Sequence, residues 1–305
     1  MPHTGRPMAS IREFLTLPRD RQRRYNFAYL DEHSKREVRR RLLKAVAIPG
    51  HQVPFASREL PIARGWGTGG LQITLALIGP HDVLKVIDQG ADDSVNAVNL
   101  RQLIVRTTGV RTTTDTRHAT VVQTRHRIPE EPMTADQVLV LQVPEPEPLR
   151  HVEPSTVRAR RMHAEGDYSA MWVRLYEDVV RWGEVTISSQ YPVRVHRRYV
   201  MDPTPIPRWD VPRLHRAEVL YLFGAGREKR LYAVPPFTEV EPLAFDDVPF
   251  RVEEFGGARC RRCGSEASFL NASFDPVTGA RTFVCSDTDY CTRRMAALRF
   301  EETAR

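Results

Sequence analysis

The sequence contains no apolar run long enough to cross a membrane. Its longest candidate, Leu71 to Ile78, is interrupted by Gln72 and Thr74, whereas a membrane helix needs about 20 apolar residues. The apolar patch near the N-terminus surrounds Phe14 and is too short for a signal peptide. We therefore expect a cytoplasmic protein without a membrane partner.

Aromatic residues are also scarce, at 8% of 305 residues. No stretch interleaves them with arginine in the way that a platform for single-stranded nucleic acid requires. The net charge is +7, from 45 basic and 38 acidic residues, and this balance favours an anionic partner. Because no nucleic-acid motif accompanies the charge, we expect a phosphorylated small molecule rather than nucleic acid.

Cysteine is confined to a short segment near the C-terminus, where it occurs as Cys260, Cys263, Cys285 and Cys291. Two cysteines separated by two residues can place both thiolates on one ion or cluster. In a protein expected to be cytoplasmic, such a group indicates a metal centre rather than disulfides. The sequence therefore predicts a small metal-binding lobe over residues 251–305.

The spacing of the cysteines leaves two kinds of centre open. A zinc ribbon usually repeats a close pair, but here five residues, Ser286 to Tyr290, separate the last two cysteines. A closed site with four thiolates on one zinc ion is compatible with that gap. So is a site in which Cys260, Cys263 and Cys285 hold a 4Fe–4S cluster and Cys291 is kept for chemistry. Three cysteines on such a cluster leave one iron open for a ligand.

The rest of the chain mixes helix and strand signals. Ser34-Lys-Arg-Glu37 is typical of a capping box that begins a helix, and Ile48-Pro-Gly50 should end that helix in a turn. Strands are expected at Leu71–Ile78, 119–124, 137–143 and 231–234, and helices at 82–89, 92–107 and 168–182. Together these elements predict an α+β protein with a mixed-sheet main domain over residues 25–250.

Two further regions have a distinct composition. Residues 1–24 are rich in arginine and proline, and we expect them to form a flexible basic extension. Proline-rich segments bound an excursion near residues 144–212, which is a candidate docking surface.

Three loops are candidates for anion binding. The run Gly65 to Gly70 precedes an expected strand, so it does not match a dinucleotide motif and is either a tight loop or an anion site. Arg125-His126-Arg127 follows another expected strand and could clamp a phosphate, offer His126 to a metal, or form a solvated turn. The third loop, Gly224 to Arg230, joins two glycines to three cations and is either an anion site or a hairpin turn. The candidate phosphate ligands are Arg125, Arg127, Arg227, Lys229 and Arg230.

Seven stretches carry a resemblance to a known family. They are YNFAYLDE (25–32), AVAIPG (45–50), GWGTGG (65–70), DVLKVIDQGADD (82–93), QTRHRIPE (123–130), LFGAGREKR (222–230) and FVCSDTDYC (283–291). Together with the Cys-x2-Cys-x21-Cys-x5-Cys spacing, they resemble the PhnJ family, the catalytic subunits of bacterial carbon–phosphorus lyase complexes. The resemblance covers about Tyr25 to Cys291.

The resemblance implies a radical S-adenosylmethionine enzyme that lacks the common Cys-x3-Cys-x2-Cys string. Its substrate would be alpha-D-ribose 1-methylphosphonate 5-phosphate, and its products methane and alpha-D-ribose 1,2-cyclic phosphate 5-phosphate. By the same resemblance, a 4Fe–4S cluster is held by Cys260, Cys263 and Cys285. Gly50 would become a glycyl radical, and Cys291 would become a thiyl radical.

The resemblance also implies partners. His126 would join a metal site shared with a neighbouring PhnI subunit, with zinc as a candidate metal. PhnG, PhnH and an ABC-type ATPase would complete the assembly. From the cysteines and the charge alone, the alternative is a non-catalytic zinc-ribbon scaffold that binds anions within a complex. Zinc could also replace an oxygen-labile cluster in air, with Cys291 as the fourth ligand.

Overall fold

A computed structural model describes residues 31–54, 68–125, 127–143, 153–182, 193–201, 209–225, 230–242 and 255–303. The described helices are α1 (Glu32–Ala47), α2 (Thr68–Leu77), α3 (Val95–Thr108), α4 (Thr156–Glu165), α5 (Ser169–Trp182) and α6 (Thr288–Thr303). The described strands are β1 (Val53–Pro54), β2 (Val83–Ile87), β3 (Arg111–Thr112), β4 (Val121–Thr124), β5 (Val138–Gln142), β6 (Val193–Val195), β7 (Tyr199–Met201), β8 (Leu220–Ala225), β9 (Arg230–Val234), β10 (Val240–Pro242), β11 (Leu270–Phe274) and β12 (Arg281–Cys285). Among the described helices, none is both long and apolar enough to span a membrane.

The central element is a seven-stranded mixed sheet with the order β1-β9-β8-β5-β4-β2-β3. Five of its strands, β3, β2, β4, β5 and β8, are parallel, whereas β9 and β1 extend the sheet by antiparallel pairing. The predicted α+β class with a mixed sheet is therefore confirmed. Because the carboxyl ends of the five parallel strands meet at one edge, that edge is where a ligand crevice is expected. We call it the carboxyl edge.

Two apolar clusters cover the two faces of this sheet. On one face, Leu84 and Val140 pack with residues of α1, α2 and α3, such as Val38, Ile73 and Ile104. The opposite face carries alternate residues of the same strands, and its cluster includes Val122, Leu139, Leu141, Phe223 and Tyr232. This alternation follows from the two-residue period of a strand. A separate three-stranded sheet, β10-β6-β7, supplies Val193, Val195 and Val240 to the second cluster.

The first described helix begins earlier than predicted. Asp31, not Ser34, is its N-cap residue, because the Ser34 N–H donates to Asp31 Oδ1 at 2.7 Å. Val38, Leu42 and Ala45, on one face of the helix, are buried. The helix ends at Ala47, before the proline, as expected from the restriction that proline places on the preceding residue.

Two secondary-structure predictions were wrong. Leu71–Ile78, predicted as a strand, lies within and just after α2, and residues 82–89, predicted as a helix, contain β2. Both segments are buried on nearly all sides, so neither shows a period that separates a helix from a strand. Asp82 does not cap a helix but accepts hydrogen bonds from the Gly79 N–H and the Thr120 hydroxyl. The predicted helices 92–107 and 168–182 and the other predicted strands are confirmed by α3, α5, β4, β5 and β9.

The C-terminal segment forms a small lobe of its own secondary structure. Its hairpin pairs β11 with β12, from Leu270 opposite Cys285 to Phe274 opposite Arg281. The helix α6 follows β12 after two residues. Phe255 and Phe283 pack with the cysteines in a core separate from those of the sheet. The residue boundaries predicted for the domains, the basic extension and the proline-bounded excursion stay predictions.

Candidate metal centre and the carboxyl edge

Three structural elements bring the four cysteines together. Cys260 and Cys263 lie on a turn that Gly264, at φ 67°, completes by donating its N–H to the Cys260 carbonyl at 2.8 Å. Cys285 is the last residue of β12, and Cys291 lies in the first turn of α6. Each sulfur therefore comes from a position that backbone hydrogen bonds hold in place.

The four sulfur atoms form a compact, buried group. All four Sγ atoms lie within 4.8 Å of one another. The Cys260 and Cys291 Sγ atoms are 3.7 Å apart, and those of Cys263 and Cys285 are 3.5 Å apart. Each cysteine is at most 4% exposed. The predicted metal-binding cysteine lobe is thus present as a group with the composition of a metal centre.

The separations decide which centre this arrangement suits. Four thiolates at about 2.3 Å from one zinc ion lie roughly 3.8 Å from each other, close to the two separations of 3.5 and 3.7 Å. Cysteines on a 4Fe–4S cluster are bound to different iron atoms and must lie farther apart. The donor set is chemically suited to either centre, but the arrangement described matches a single tetrahedral ion. Cys291 is as close to the group as the other three cysteines.

The electrostatics of the group favour a cation. Burial opposes ionisation of Cys260, but N–H groups of Cys263, Arg262 and Cys285 donate to its sulfur and lower its pKa to about 6. Burial, together with the neighbouring thiols, raises the pKa of Cys291 to about 12 and that of Cys285 further still. A bound metal cation removes this cost because it stabilises all the thiolates at once. Metal uptake should therefore release protons.

The lobe docks at the carboxyl edge of the main sheet. Ser286 donates its hydroxyl to the carbonyl of Gln89, which follows β2, at 3.0 Å. The Phe269 N–H donates to Glu130 Oε1 at 3.0 Å, beyond the end of β4. Arg293 of α6 donates to the carbonyl of Thr114, which follows β3. The cysteine group therefore lies beside three neighbouring strand ends.

Arg125 and Arg127, both predicted to bind phosphate, have different surroundings. Arg125 is partly buried, and its Nε and Nη2 donate to the two carboxylate oxygens of Asp88 at 2.9 and 3.0 Å. This pair fixes its guanidinium at the carboxyl edge. Arg127 is 4% exposed and is paired with both Asp210 and Glu130. The buried carboxylates and Ser286 give Arg127 the contacts of a residue that docks the lobe on the main domain, and its predicted phosphate-binding role stays a prediction.

The other predicted ligands are described only in part. Arg230 begins β9 opposite Ala225, the last residue of β8, so it also lies at the carboxyl edge. Its Nη1 donates to Gln52 Oε1 at 2.7 Å. His126, Arg227 and Lys229 lie outside the described residues, and their roles stay predictions.

Gly50 contacts the sheet several strands away from the strand ends at which the lobe docks. It is buried, its φ is 74°, and its N–H donates to the carbonyl of Ala233 in β9 at 3.0 Å. A positive φ of this size favours glycine, so the predicted exit turn is present. In the sheet, β9 is three strands from β4 and four from β2, which corresponds to roughly 14 to 19 Å. The radical role of Gly50 stays a prediction.

Sequence reasoning missed two buried residues where the lobe contacts the carboxyl edge. Lys85 in β2 is 0% exposed, lies 3.2 Å from Asp92, and donates to the Thr114 carbonyl. Asp287, between the last two cysteines, is 1% exposed. The only sequence signals were a single lysine within the apolar run VLKVI and the unusual five-residue gap between cysteines.

The comparisons with known proteins agree with one another. The family model described as "Phosphonate metabolism protein PhnJ" matches residues 23–297. The chain is 58% identical over 273 residues to the "Alpha-D-ribose 1-methylphosphonate 5-phosphate C-P lyase" of Escherichia coli (strain K12), which covers 90% of this chain and 97% of that protein. It is 56% identical over 272 residues to the correspondingly named protein of Rhizobium meliloti (strain 1021), with 89% and 91% covered.

Proposed function

The chain belongs to the PhnJ family of phosphonate metabolism, and we propose that it is a carbon–phosphorus lyase acting on alpha-D-ribose 1-methylphosphonate 5-phosphate. The observation that carries the proposal is the identity of 58% across nearly the whole of a relative with that name. The buried group of four cysteines adds chemical support, because it supplies thiolates for a metal centre. The products would be methane and alpha-D-ribose 1,2-cyclic phosphate 5-phosphate.

The chemistry of the bond favours a radical route. Carbon carries no polar leaving group in a phosphonate, so acid–base hydrolysis would require a free carbanion. We propose that Cys260, Cys263 and Cys285 hold a 4Fe–4S cluster in the active form, in which their sulfurs lie farther apart than in the closed arrangement described here. Such a cluster with S-adenosylmethionine supplies one-electron reductive cleavage to a 5′-deoxyadenosyl radical.

Two residues of the chain, Gly50 and Cys291, would then carry the unpaired electron in turn. The Cα hydrogen of Gly50 is unhindered by a side chain, and the adjoining amide and carbonyl delocalise a radical at that carbon. By net transfer of the thiol hydrogen to Gly50, the unpaired electron would pass from Gly50 to the sulfur of Cys291. That sulfur would form a bond to phosphorus as the carbon–phosphorus bond breaks, and the methyl radical released would take a hydrogen atom supplied, in net, by the Cα of Gly50, which regenerates the glycyl radical, and would leave as methane. The ribose 2-hydroxyl would displace the sulfur and close the cyclic phosphate.

The carboxyl edge supplies candidate contacts for the phosphorus groups of the substrate. Arg125 and Arg230 both lie there, and the positive charge and N–H groups of a guanidinium favour phosphate oxygens. Arg227 and Lys229 remain candidates from the sequence. We further propose, from the resemblance, that His126 joins a metal site, with zinc as a candidate metal, shared with PhnI. PhnG, PhnH and an ABC-type ATPase are the other proposed partners.

A zinc-bound, non-catalytic scaffold is the second candidate, because the Sγ separations of 3.7 and 3.5 Å in two cysteine pairs fit one zinc ion. Anaerobic reconstitution with iron and sulfide distinguishes the two. A 4Fe–4S spectrum, 5′-deoxyadenosine from S-adenosylmethionine under reductant, and methane from the ribose methylphosphonate are expected for the lyase. Stable zinc binding without any of these three signals would favour the scaffold and contradict the lyase.

A further inference from the structure

We propose that Ser286 and Arg127 are positioning residues that fix Cys291 relative to the substrate-binding carboxyl edge, an inference that rests on the proposed function. They act through the segment Ser286 to Tyr290, which we call the spacer. Cys285 and Cys291 flank the spacer, and its length departs from the close pair of a zinc ribbon. The contacts of the spacer explain why five residues separate the two cysteines.

Ser286 is bound on two sides by the main domain. It is 4% exposed, and its hydroxyl donates to the Gln89 carbonyl at 3.0 Å while accepting from Arg127 Nη1 at 3.0 Å. The opposite side of the Arg127 guanidinium is held by Asp210, which accepts from its Nε at 3.0 Å. The Arg127 Cζ also lies 4.1 Å from the centre of the Phe269 ring. One buried arginine therefore ties the start of the spacer and the lobe hairpin to the main domain.

The next spacer residue, Asp287, directly precedes the helix that carries Cys291 and caps its first turn. Asp287 accepts from the Tyr290 N–H through Oδ1 at 2.8 Å, and its backbone carbonyl accepts from the Cys291 N–H at 3.2 Å. Asp287 is itself buried and interacts electrostatically with Lys85 of β2. Any shift of Ser286 is thus passed directly to the first turn of α6, where Cys291 lies.

The turn that contacts Ser286, at residues 89–90, has an unusual backbone conformation. Gln89 and Gly90 have φ values of 54° and 86°. Residues other than glycine rarely adopt this region of backbone conformation. A Cβ on Gly90 would lie 2.3 Å from Ser286 Oγ. The Ser286 hydroxyl would therefore have to move, and it would lose its two hydrogen bonds. Strain of this kind at a contact between two elements is a reason to look for a functional role.

The same turn also holds a candidate substrate ligand. Asp88, directly before Gln89, accepts both hydrogen bonds from Arg125. The turn therefore connects the guanidinium proposed to bind phosphate with the hydroxyl that places α6. A thiyl sulfur must approach phosphorus closely, and a misplacement of about 1 Å can lower a rate about 100-fold. The connection through residues 88–90 is what would set that distance.

The test compares variants of the full chain, purified anaerobically with its partner subunits. Ser286→Ala removes the hydroxyl, and Gly90→Ala displaces it. Gly109→Ala is the matched control, because Gly109 has φ 72° but nothing within 4 Å of an added Cβ. We expect the first two variants to lower the kcat for methane release roughly tenfold to 100-fold with little change in KM, and the control to behave as wild type.

Two further measurements separate positioning from damage to the metal centre. The absorption spectrum of Co²⁺ bound by the four thiolates should be the same in all variants. Amide exchange in the spacer and in residues 88–91 should be roughly tenfold faster in Ser286→Ala and Gly90→Ala, since two hydrogen bonds are lost. The double variant, with both Ser286→Ala and Gly90→Ala, should release methane no more slowly than the slower of the two single variants, because both changes remove the same contact.

A kcat in Ser286→Ala within about twofold of wild type would overturn the positioning role alone. A lost Co²⁺ spectrum in that variant would also overturn it, because the serine would then merely build the metal centre. Absence of methane from the wild-type complex, in contrast, would overturn the proposed function and the positioning role together.

Discussion

Replacing Asp92 with asparagine should remove an acid-dependent gain in stability from the folded protein. Asp92 is 4% exposed, and burial raises its pKa from 3.8 to about 6, while Lys85 at 3.2 Å opposes the rise. The folded state therefore binds this proton more tightly than the unfolded chain does. The resulting stability is fully present below pH 3.8 and is lost as the pH rises through about 6. The full difference is roughly 3 kcal/mol, about half of it between pH 7.5 and 5.

The assay is urea-induced unfolding of the wild type and of Asp92→Asn at several pH values in this range. The difference in unfolding free energy between the two proteins should shift by about 1.4 kcal/mol in favour of the wild type as the pH falls from about 7.5 to 5. Subtracting the two curves cancels the other titrating groups. Asp93→Asn is the control, since Asp93 is the exposed neighbouring carboxyl. A difference that stays constant with pH would refute the tight proton binding assigned to Asp92.

Four other substitutions test the proposed roles. Cys291→Ala should retain a reconstituted iron–sulfur spectrum but release no methane, whereas Cys260→Ala should lose the spectrum; equal loss in both would contradict the division of the cysteines. Gly50→Ala should abolish turnover, measured as methane, while its positive φ makes the change cost about 1 kcal/mol in a denaturant titration; retained turnover would exclude a glycyl radical. Arg127→Leu should lower the unfolding free energy by about 3 to 5 kcal/mol, because Asp210 and Glu130 lose their buried partner, and a loss below about 1 kcal/mol would argue against that pairing.

The metal-binding lobe could be predicted from the sequence because its signal is local. The Cys-x2-Cys pair requires only one turn to bring two sulfurs together, and Gly264 after the pair supplies that turn. The mixed sheet was predictable for a similar reason, since β4, β5 and β9 are short apolar runs bounded by turn residues. In each case the signal for one element comes from residues that are close together in the chain.

The wrong predictions came from segments that are buried on nearly every side. In α2, Gln72 and Thr74 are buried, and the Thr74 hydroxyl donates to the Gln123 side chain across the helix–sheet contact. A polar residue in such a place interrupts the apolar pattern without marking a solvent-facing side. β2 is likewise buried from Leu84 to Ile87, including Lys85. Hydrophobic periodicity carries no information where no side faces water.

Arg127 shows a further limit of sequence reasoning. A basic residue after a strand suggested a ligand for phosphate, but its partners, Asp210 and Ser286, are 83 and 159 residues away along the chain. Neither partner has a motif of its own. Only the folded arrangement shows that this charge is already balanced, and the same holds for Lys85 with Asp92.

The separation of Gly50 from the cysteine lobe constrains any radical mechanism. Hydrogen transfer requires reacting atoms about 3 to 3.5 Å apart, whereas Gly50 contacts β9 and the lobe contacts the ends of β2 and β4, roughly 14 to 19 Å away across the sheet. Direct exchange between Gly50 and Cys291 would have to bridge much of this span. The two residues can act in one reaction only if a third molecule carries the hydrogen or one segment moves. Ser286 and Arg127 bind the lobe to the main domain by buried contacts, so a movement of the lobe toward Gly50 would have to break them.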